Sequence, residues 1–336
     1  MSELSSNIEK NEPLLKVEDL VVSFKTDEGT VRAVDHVSFE IYPGEMLGIV
    51  GESGCGKSVT AMSLLRLIPQ PPGKIESGSA LFGGEDLISM PIEKLHRIRG
   101  NDISIIFQEP MTALSPLHRV GRQLVETQQF HRDIDKKTAW QNSVEWLKKV
   151  GIPDAEERMY SYPYELSGGM RQRVMIAMAL ILEPKLIIAD EPTTALDVTI
   201  QAQILALLKQ AKNRDTAVMF ITHNLGVVWE TCSRMLVMYA SEIVESGMVE
   251  DLFKNPRHPY TEALLKANPA LAEKGSELQT IEGQVPSSLN YPAGCRFKDR
   301  CAYATGRCAE AGIPLENNGN SEVRCILNKE RMGGPS

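Results

Sequence analysis

The sequence predicts an α/β fold: a mostly parallel sheet, preceded by an antiparallel β region, interrupted by a helical insertion, and followed by a small, irregular, cysteine-containing extension. Three observations predict it. Apolar runs of strand length at residues 47–50, 103–107, 186–189, 217–222 and 235–239 recur with helical stretches among them, the pattern of strands buried on both faces. Between about Val120 and Leu182 apolar positions instead fall three and four apart, as in residues 141–150. After Leu265 this periodicity fades into Pro/Gly-rich sequence that holds four of the six cysteines.

Taken in order, residues 1–13 read as a loose polar tail. Alternation over residues 15–24 and 31–41, with a Gly-containing turn between, predicts two antiparallel strands ahead of the strand at 47–50. The buried run at 103–107 ends at Gln108, and helical patterning then holds until the strand at 186–189. A main domain is therefore expected over residues 14–266, with a helical subdomain at about 109–183, and an extension over 267–336. No internal repeat is visible.

The 336 residues suffice for one substantial core plus an appendage. A net charge of -8 argues against a nucleic-acid binder that works by neutralising phosphates. No run approaches the ~18 apolar residues of a membrane span, and residues 1–10 are polar and acidic rather than signal-like. The expected compartment is the cytosol, where cysteines serve as thiols or metal ligands rather than disulfides.

Between the strand at 47–50 and a helix-like stretch opening at Val59 lies Gly51-Glu52-Ser53-Gly54-Cys55-Gly56-Lys57-Ser58. Glycines let backbone N–H groups approach anionic oxygens, and a helix start adds the positive end of its dipole. Lys57 can reach the β- and γ-phosphates of a nucleotide, and the Ser58 hydroxyl can hold Mg²⁺. Further on, a buried strand ends in Asp190 and Glu191. By itself such a pair reads as a helix cap or solvated turn. Behind a phosphate loop it reads as a metal ligand, Asp190, and a group that polarises water, Glu191. Ser167-Gly168-Gly169 opens a helix with a hydroxyl and two glycines, a second anion cradle. One nucleotide does not need two cradles in one chain, so the second suits the nucleotide of a head-to-tail partner. Gln108 and His223 each follow a strand, where ligand contacts gather in α/β sheets.

Together and in this order, the motifs resemble the ATP-binding subunits of ABC transporters over nearly the whole chain. The resemblance implies an ABC-type nucleotide-binding domain and ATP hydrolysis coupled to transmembrane transport. It implies ATP contacts from Phe24, at the position of the adenine-stacking aromatic residue, and from Gly51, Glu52, Ser53, Gly54, Cys55, Gly56, Lys57, Ser58 and Val59. Mg²⁺ would be held by Ser58, Gln108 and Asp190, with Glu191 as general base and Gln108 and His223 beside it in catalysis. Ser167, Gly168 and Gly169 would be a signature acting in trans, and Asp197, in Ala195-Leu196-Asp197, would belong to the D-loop. Cys55 stands where many members have Ser, and Asn224 where Asp is common; neither position supplies the proposed chemistry.

The tail narrows the resemblance. The stretch Asn255-Pro256-Arg257-His258-Pro259-Tyr260, the run at 190–203 and the cysteines around Gly294-Cys295-Arg296-Phe297 are similar to the oligopeptide/dipeptide importer ATPases. This implies two transmembrane permease subunits docked on the helical insertion and the loop after Gln108, a second related ABC ATPase or a second copy of this chain, and an extracytoplasmic peptide-binding protein. The chain would be peripheral at the cytoplasmic face of a bacterial inner membrane. Alternative cargoes are nickel, glutathione or another peptide-like solute. The alternative class is a soluble non-transport ABC ATPase, whose heptad insertion or fused second cassette does not occur in this sequence.

Cys295, Cys301, Cys308 and Cys325 lie in a weakly apolar segment that needs a staple, and thiolate-bound metal is the cytosolic one. Their spacings are wider than the Cys-x₂₋₄-Cys pairs of standard zinc sites. The resemblance implies a [4Fe-4S] cluster, with zinc and four unliganded thiols as alternatives. Cys55 and Cys232 are expected to stand apart from it.

Overall fold

Strands form where the apolar runs lie, and others form where no run announces them. The computed structural model describes residues 12–109, 113–193, 196–212, 216–268, 280–310, 312–317 and 321–327. Residues 1–11 of the expected tail, residues 110–112 after Gln108, Ala195 of the D-loop and residues 269–279 of the extension lie outside the described residues. The strands are β1 (Leu15–Thr26), β2 (Gly29–Ile41), β3 (Met46–Val50), β4 (Gly73–Phe82), β5 (Glu85–Asp86), β6 (Ile103–Ile106), β7 (Leu186–Asp190), β8 (Ala217–Ile221), β9 (Arg234–Tyr239), β10 (Glu242–Met248), β11 (Glu316–Asn317) and β12 (Ser321–Val323). The helices are α1 (Lys57–Leu64), α2 (Ile92–Ile98), α3 (Val120–His131), α4 (Lys136–Lys149), α5 (Ala155–Arg158), α6 (Gly168–Leu180), α7 (Val198–Lys212), α8 (Leu225–Thr231), α9 (Val249–Lys254) and α10 (Pro259–Lys266). Among the described residues no helix is long and apolar enough to cross a membrane.

Two compact units result. The first gathers the described residues of Met1–Tyr42, Met46–Ser89 and Ile221–Ser336. In it β1 pairs with β2 from Leu15↔Ile41 to Thr26↔Gly29 and, on its other edge, with β4 from Leu15↔Phe82 to Phe24↔Gly73. The first half of β4 is polar and mostly exposed, so periodicity did not predict it; the strand exists because the edge of β1 offers backbone partners. The same unit holds strands in the order β11-β12-β10-β9-β3. β3 runs parallel to β9, and all five of its residues are buried. β10 is antiparallel to both β9 and β12. The extension is largely irregular, as expected, and its short strand β12 is ordered by backbone pairing with β10, from Glu245↔Val323 to Gly247↔Ser321, a long-range cause that local periodicity does not carry.

The second unit is formed by the described residues of Pro43–Glu45 and Met90–Phe220. Its strands follow the order β8-β7-β6, with β6 parallel to β7 from Ile103↔Leu186 to Ile106↔Ala189. Every residue of β7 and β8 is buried, which is why both read as unbroken apolar runs rather than alternating ones. Asp135 caps α4 by accepting the N–H groups of Lys137 and Thr138 at 2.9 and 3.0 Å. The Thr138 hydroxyl and N–H hold the Asp135 carboxyl below the usual carboxylate range. Gln128 of α3, only 2% exposed, donates to Ala139 O and Ser143 Oγ of α4 at 2.8 and 2.9 Å and so ties the two helices together.

Candidate functional site

The first unit supplies an anion cradle. β3 delivers the chain into a loop where Gly51 has φ 152° and Gly56 φ 101°. A Cβ on Gly51 would stand 2.1 Å from Met238 O, and one on Gly56 2.2 Å from Ala33 O, so both positions require glycine by conformation and by space. α1 then opens at Lys57, with Gly56 as its N-cap and no side chain capping it. The leading N–H groups of α1 thus carry the dipole's positive end with no side-chain acceptor laid across them. Lys57 is 7% exposed, and its Nζ donates to Gly51 O at 2.8 Å and Glu52 O at 2.9 Å, with Cys55 Sγ 3.6 Å away. The loop therefore encloses an ammonium held by carbonyls, a charge that phosphate oxygens can take over. Burial pushes the Cys55 thiol up, so this residue is a neutral spacer beside Lys57. Ser53 and Gly54 are exposed at the tip of the loop, and Ser58 and Val59 are half-buried. Phe24 is half-buried near the end of β1. Thr222 N donates to Ile49 O at 3.2 Å, which sets the exposed His223 just past the end of β3. Asn224 caps α8, accepting from Gly226 N at 3.0 Å and Val227 N at 3.3 Å, so the departure there serves a helix end.

The second unit supplies the carboxylates. Parallel pairing of β6 and β7 brings their C-terminal ends together, and Gln108 Nε2 donates to Glu191 Oε2 at 3.1 Å. Two residues 83 apart in sequence are thus held as one polar pair. Asp190 is buried at the last position of β7. Glu191 follows at φ 46°, a left-handed conformation that is costly for a non-glycine residue and that re-aims its carboxylate. Gln172, fully buried on α6, donates to Pro192 O and so links the helix behind Ser167 to the backbone just past Glu191. Sequence reasoning did not find Gln172. Ser167 caps α6, its Oγ accepting Met170 N at 3.3 Å, and both Ser167 and Gly168 are exposed. Asp197 is exposed and caps α7 through Ile200 N at 3.0 Å.

The extension gathers the four predicted cysteines around one small cavity. Cys295, Cys301, Cys308 and Cys325 line it together with His258 and Phe297. Cys295 N donates to Cys308 O at 2.8 Å, and burial pushes the Cys295 thiol up to about 11. Among the described residues, no group of three or more His, Cys, Asp or Glu side chains is arranged to hold a metal ion. His258 is fully buried and caps α10, its Nδ1 accepting Tyr260 N at 3.0 Å. Glu245 accepts the N–H groups of Arg257 at 2.8 Å and His258 at 3.0 Å. The Arg257-His258-Pro259-Tyr260 stretch is thus a structural joint.

A family model for ABC transporters matches residues 34–194, and one for the C-terminal region of oligopeptide/dipeptide transporters matches residues 244–308. A probable peptide ABC transporter ATP-binding protein of Sinorhizobium fredii is 52% identical over 90% of this chain and 90% of its own length. The chain belongs to the ABC transporter ATP-binding proteins, in the oligopeptide/dipeptide branch. Other relatives in this family are the oligopeptide transport ATP-binding protein OppD of Haemophilus influenzae, 48% identical over 95% of this chain and 99% of its own, and the dipeptide transport ATP-binding protein DppD of the same organism, 45% identical over 96% and 98%. Among solved structures, a dimeric ATP-binding cassette in a post-hydrolysis state with ADP and Pi aligns with a TM-score of 0.64 at 26% identity, covering 70% of this chain and 98% of that one. Membership in the ABC family makes the chain an ATPase, with ATP and Mg²⁺ as its nucleotide and ion.

Proposed function

We propose that the chain is the ATP-hydrolysing subunit that powers import of oligopeptides or dipeptides through an ABC transporter. The observation that carries the reading is the Gln108–Glu191 pair at adjacent strand ends, in a chain that also holds a glycine-built cradle around Lys57. The full-length likeness to peptide import ATP-binding proteins supports the cargo class. In this reading Lys57 and the N–H groups from Gly51 to Val59 bind the phosphates, Phe24 stacks on adenine and His223 contacts the γ-phosphate. The donor set of Ser58 hydroxyl, Gln108 amide oxygen and Asp190 carboxylate consists of hard oxygens, which suits Mg²⁺. The ion supplies charge neutralisation when bound. Glu191 accepts the proton of the attacking water, and Gln108 orients it. Two permease subunits, a second ATPase or a second copy, and a peptide-binding protein outside complete the assembly, with this chain peripheral at the inner face of the membrane. ATP-dependent uptake of a labelled peptide into vesicles holding the complete assembly tests the proposal. Uptake without ATP, or of nickel but not peptide, overturns it.

The exposed helix start at Ser167 supports a signature acting in trans on the partner's nucleotide. Ser167→Arg is expected to place a long cation where the partner's γ-phosphate belongs. It should abolish ATPase activity of the assembly while leaving this chain's own nucleotide affinity within about twofold, since helix-end charges act only over the nearest turn. Titration of the isolated chain with a fluorescent ATP analogue checks it, and loss of binding there overturns the head-to-tail model.

Four thiols line one small cavity, and four thiolates are the ligand set of a [4Fe-4S] cluster, which is the group we propose for them. Cys295, Cys301, Cys308 and Cys325 would hold it, and its role is structural, because these residues lie outside the nucleotide motifs. Anaerobically purified protein is expected to be brown, with broad absorption near ~400 nm and about four irons per chain. Stoichiometric zinc in a colourless preparation replaces the cluster with a zinc site, and neither metal leaves four plain thiols.

A further inference from the structure

Glu52, the second residue of the phosphate loop, is gripped by two residues that belong to none of the nucleotide motifs. Tyr260 Oη accepts its N–H at 2.9 Å. Arg300 takes its carboxylate in a two-pronged pair, Nη1 to Oε2 at 2.7 Å and Nη2 to Oε1 at 3.0 Å. The side chain of Arg300 is only 6% exposed, so the pair is shielded from water on the arginine side. Arg300 is itself anchored, donating from Nε to Glu282 O at 2.9 Å and from Nη2 to Ile281 O at 3.2 Å. Toward the cradle, the Glu52 carbonyl accepts Lys57 Nζ at 2.9 Å. One residue thus carries the extension's grip and the phosphate-binding ammonium together.

The neighbouring residues act in the same direction. Arg300 ends the short segment Arg296-Phe297-Lys298-Asp299-Arg300 between Cys295 and Cys301. Phe297, 2% exposed, packs against Tyr239 and Tyr260 at ring distances of 5.2 and 5.4 Å. Arg296 donates to Ala240 O at 2.5 Å and pairs with Asp35, and the next residue, Ser241, donates its N–H to Cys55 O at 3.2 Å. Both arginines of the segment therefore end at the phosphate loop or at the turn that touches it.

We propose that the segment between Cys295 and Cys301 is a strap that, together with Tyr260, holds the phosphate loop in its ATP-binding form. Arg300 and Tyr260 are positioning residues for the nucleotide. The proposal deepens the reading of residues 51–58 as the ATP cradle and rests on it. A loop released from the strap spends part of its time in forms that misplace the Lys57 carbonyl anchors, and apparent affinity falls by the competent fraction. Neither residue is among the groups assigned to the γ-phosphate or water, so the loss falls on binding rather than on turnover.

The test uses the complete transporter assembly, with the KM for ATP, kcat and thermal unfolding measured for each variant. Arg300→Ala is expected to raise the KM about tenfold with kcat held within about twofold, the size of coupling seen between directly bonded charged neighbours. Tyr260→Phe, which keeps the ring packing and removes only the acceptor, should raise the KM several-fold, and Arg300→Lys should fall between wild type and Arg300→Ala. Adding Glu52→Gln to Arg300→Ala should cost little more than either change alone, because both break one pair. An unchanged KM with lowered thermal stability, or additive losses in the double variant, overturns the strap. Lys57→Ala serves as control with a fluorescent ATP analogue: undiminished binding there overturns the cradle reading itself, independently of the strap.

Discussion

Lys57→Ala is expected to abolish ATP hydrolysis, lowering kcat/KM by about 10³-fold or more. The ammonium sits at the centre of the loop, 7% exposed and held by Gly51 O and Glu52 O at 2.8 and 2.9 Å. It is therefore already desolvated and positioned before any phosphate arrives, and a preorganised donor of this kind contributes about 10²–10³-fold by itself. The β- and γ-phosphates would lose that cation in both the ground and the transition state, so binding and turnover fall together. The fold should survive. Truncation leaves two loop carbonyls without this donor, at roughly 1–3 kcal/mol each at most, and water can reach a loop whose tip residues Ser53 and Gly54 are exposed. ATPase assays with thermal unfolding decide it: near-normal hydrolysis by a folded variant removes Lys57 from the mechanism.

Glu191→Gln is expected to lower kcat by about 10²–10⁴-fold while ATP binding persists, the range general-base catalysis contributes. The amide has nearly the shape of the carboxylate, and its oxygen can still accept Gln108 Nε2, bonded to Glu191 Oε2 at 3.1 Å in the native protein. What disappears is the capacity to take a proton from water. With binding intact and hydrolysis stopped, the ATP-closed dimer should accumulate and elute early in size-exclusion chromatography with ATP. The variant should be paired with the partner ATPase if the chain does not self-associate. Normal turnover by an assembly carrying the equivalent change at both composite sites removes the base assignment. The two variants thus separate the two proposed roles: Lys57 would act on the nucleotide at every stage, and Glu191 only when water attacks.

Several elements were legible because their causes are local. Three glycines, a lysine and a hydroxyl between an apolar run and a helix describe an anion cradle wherever the rest of the chain goes, and the loop has that form, with Gly51 and Gly56 at positive φ. β3, β7 and β8 were legible because strands buried on both faces must be apolar throughout. β4, β11 and β12 were not, since they are ordered by pairing with β1 and β10 rather than by their own pattern. Gln172 was hidden for a similar reason: on a helix its position looks like any interior polar residue, and only the return of the chain at Pro192 provides its acceptor.

What the sequence determined by itself was therefore the local pattern: a glycine-built loop before a helix, a carboxylate pair after a buried strand and a hydroxyl with two glycines at Ser167, each written in a few adjacent residues. What only the tertiary structure decided was which of these meet. The parallel register of β6 and β7 makes Gln108 and Glu191 one hydrogen-bonded pair. Packing of the extension against β9 and β10 carries Arg300 to Glu52 across 248 residues of chain, and α10 brings Tyr260 to the same residue across 208. Residue types and short spacings record what a side chain can do, because that depends on its own atoms and immediate backbone. Partnership between distant residues depends on the summed burial and pairing of all the segments between them, which no short stretch contains.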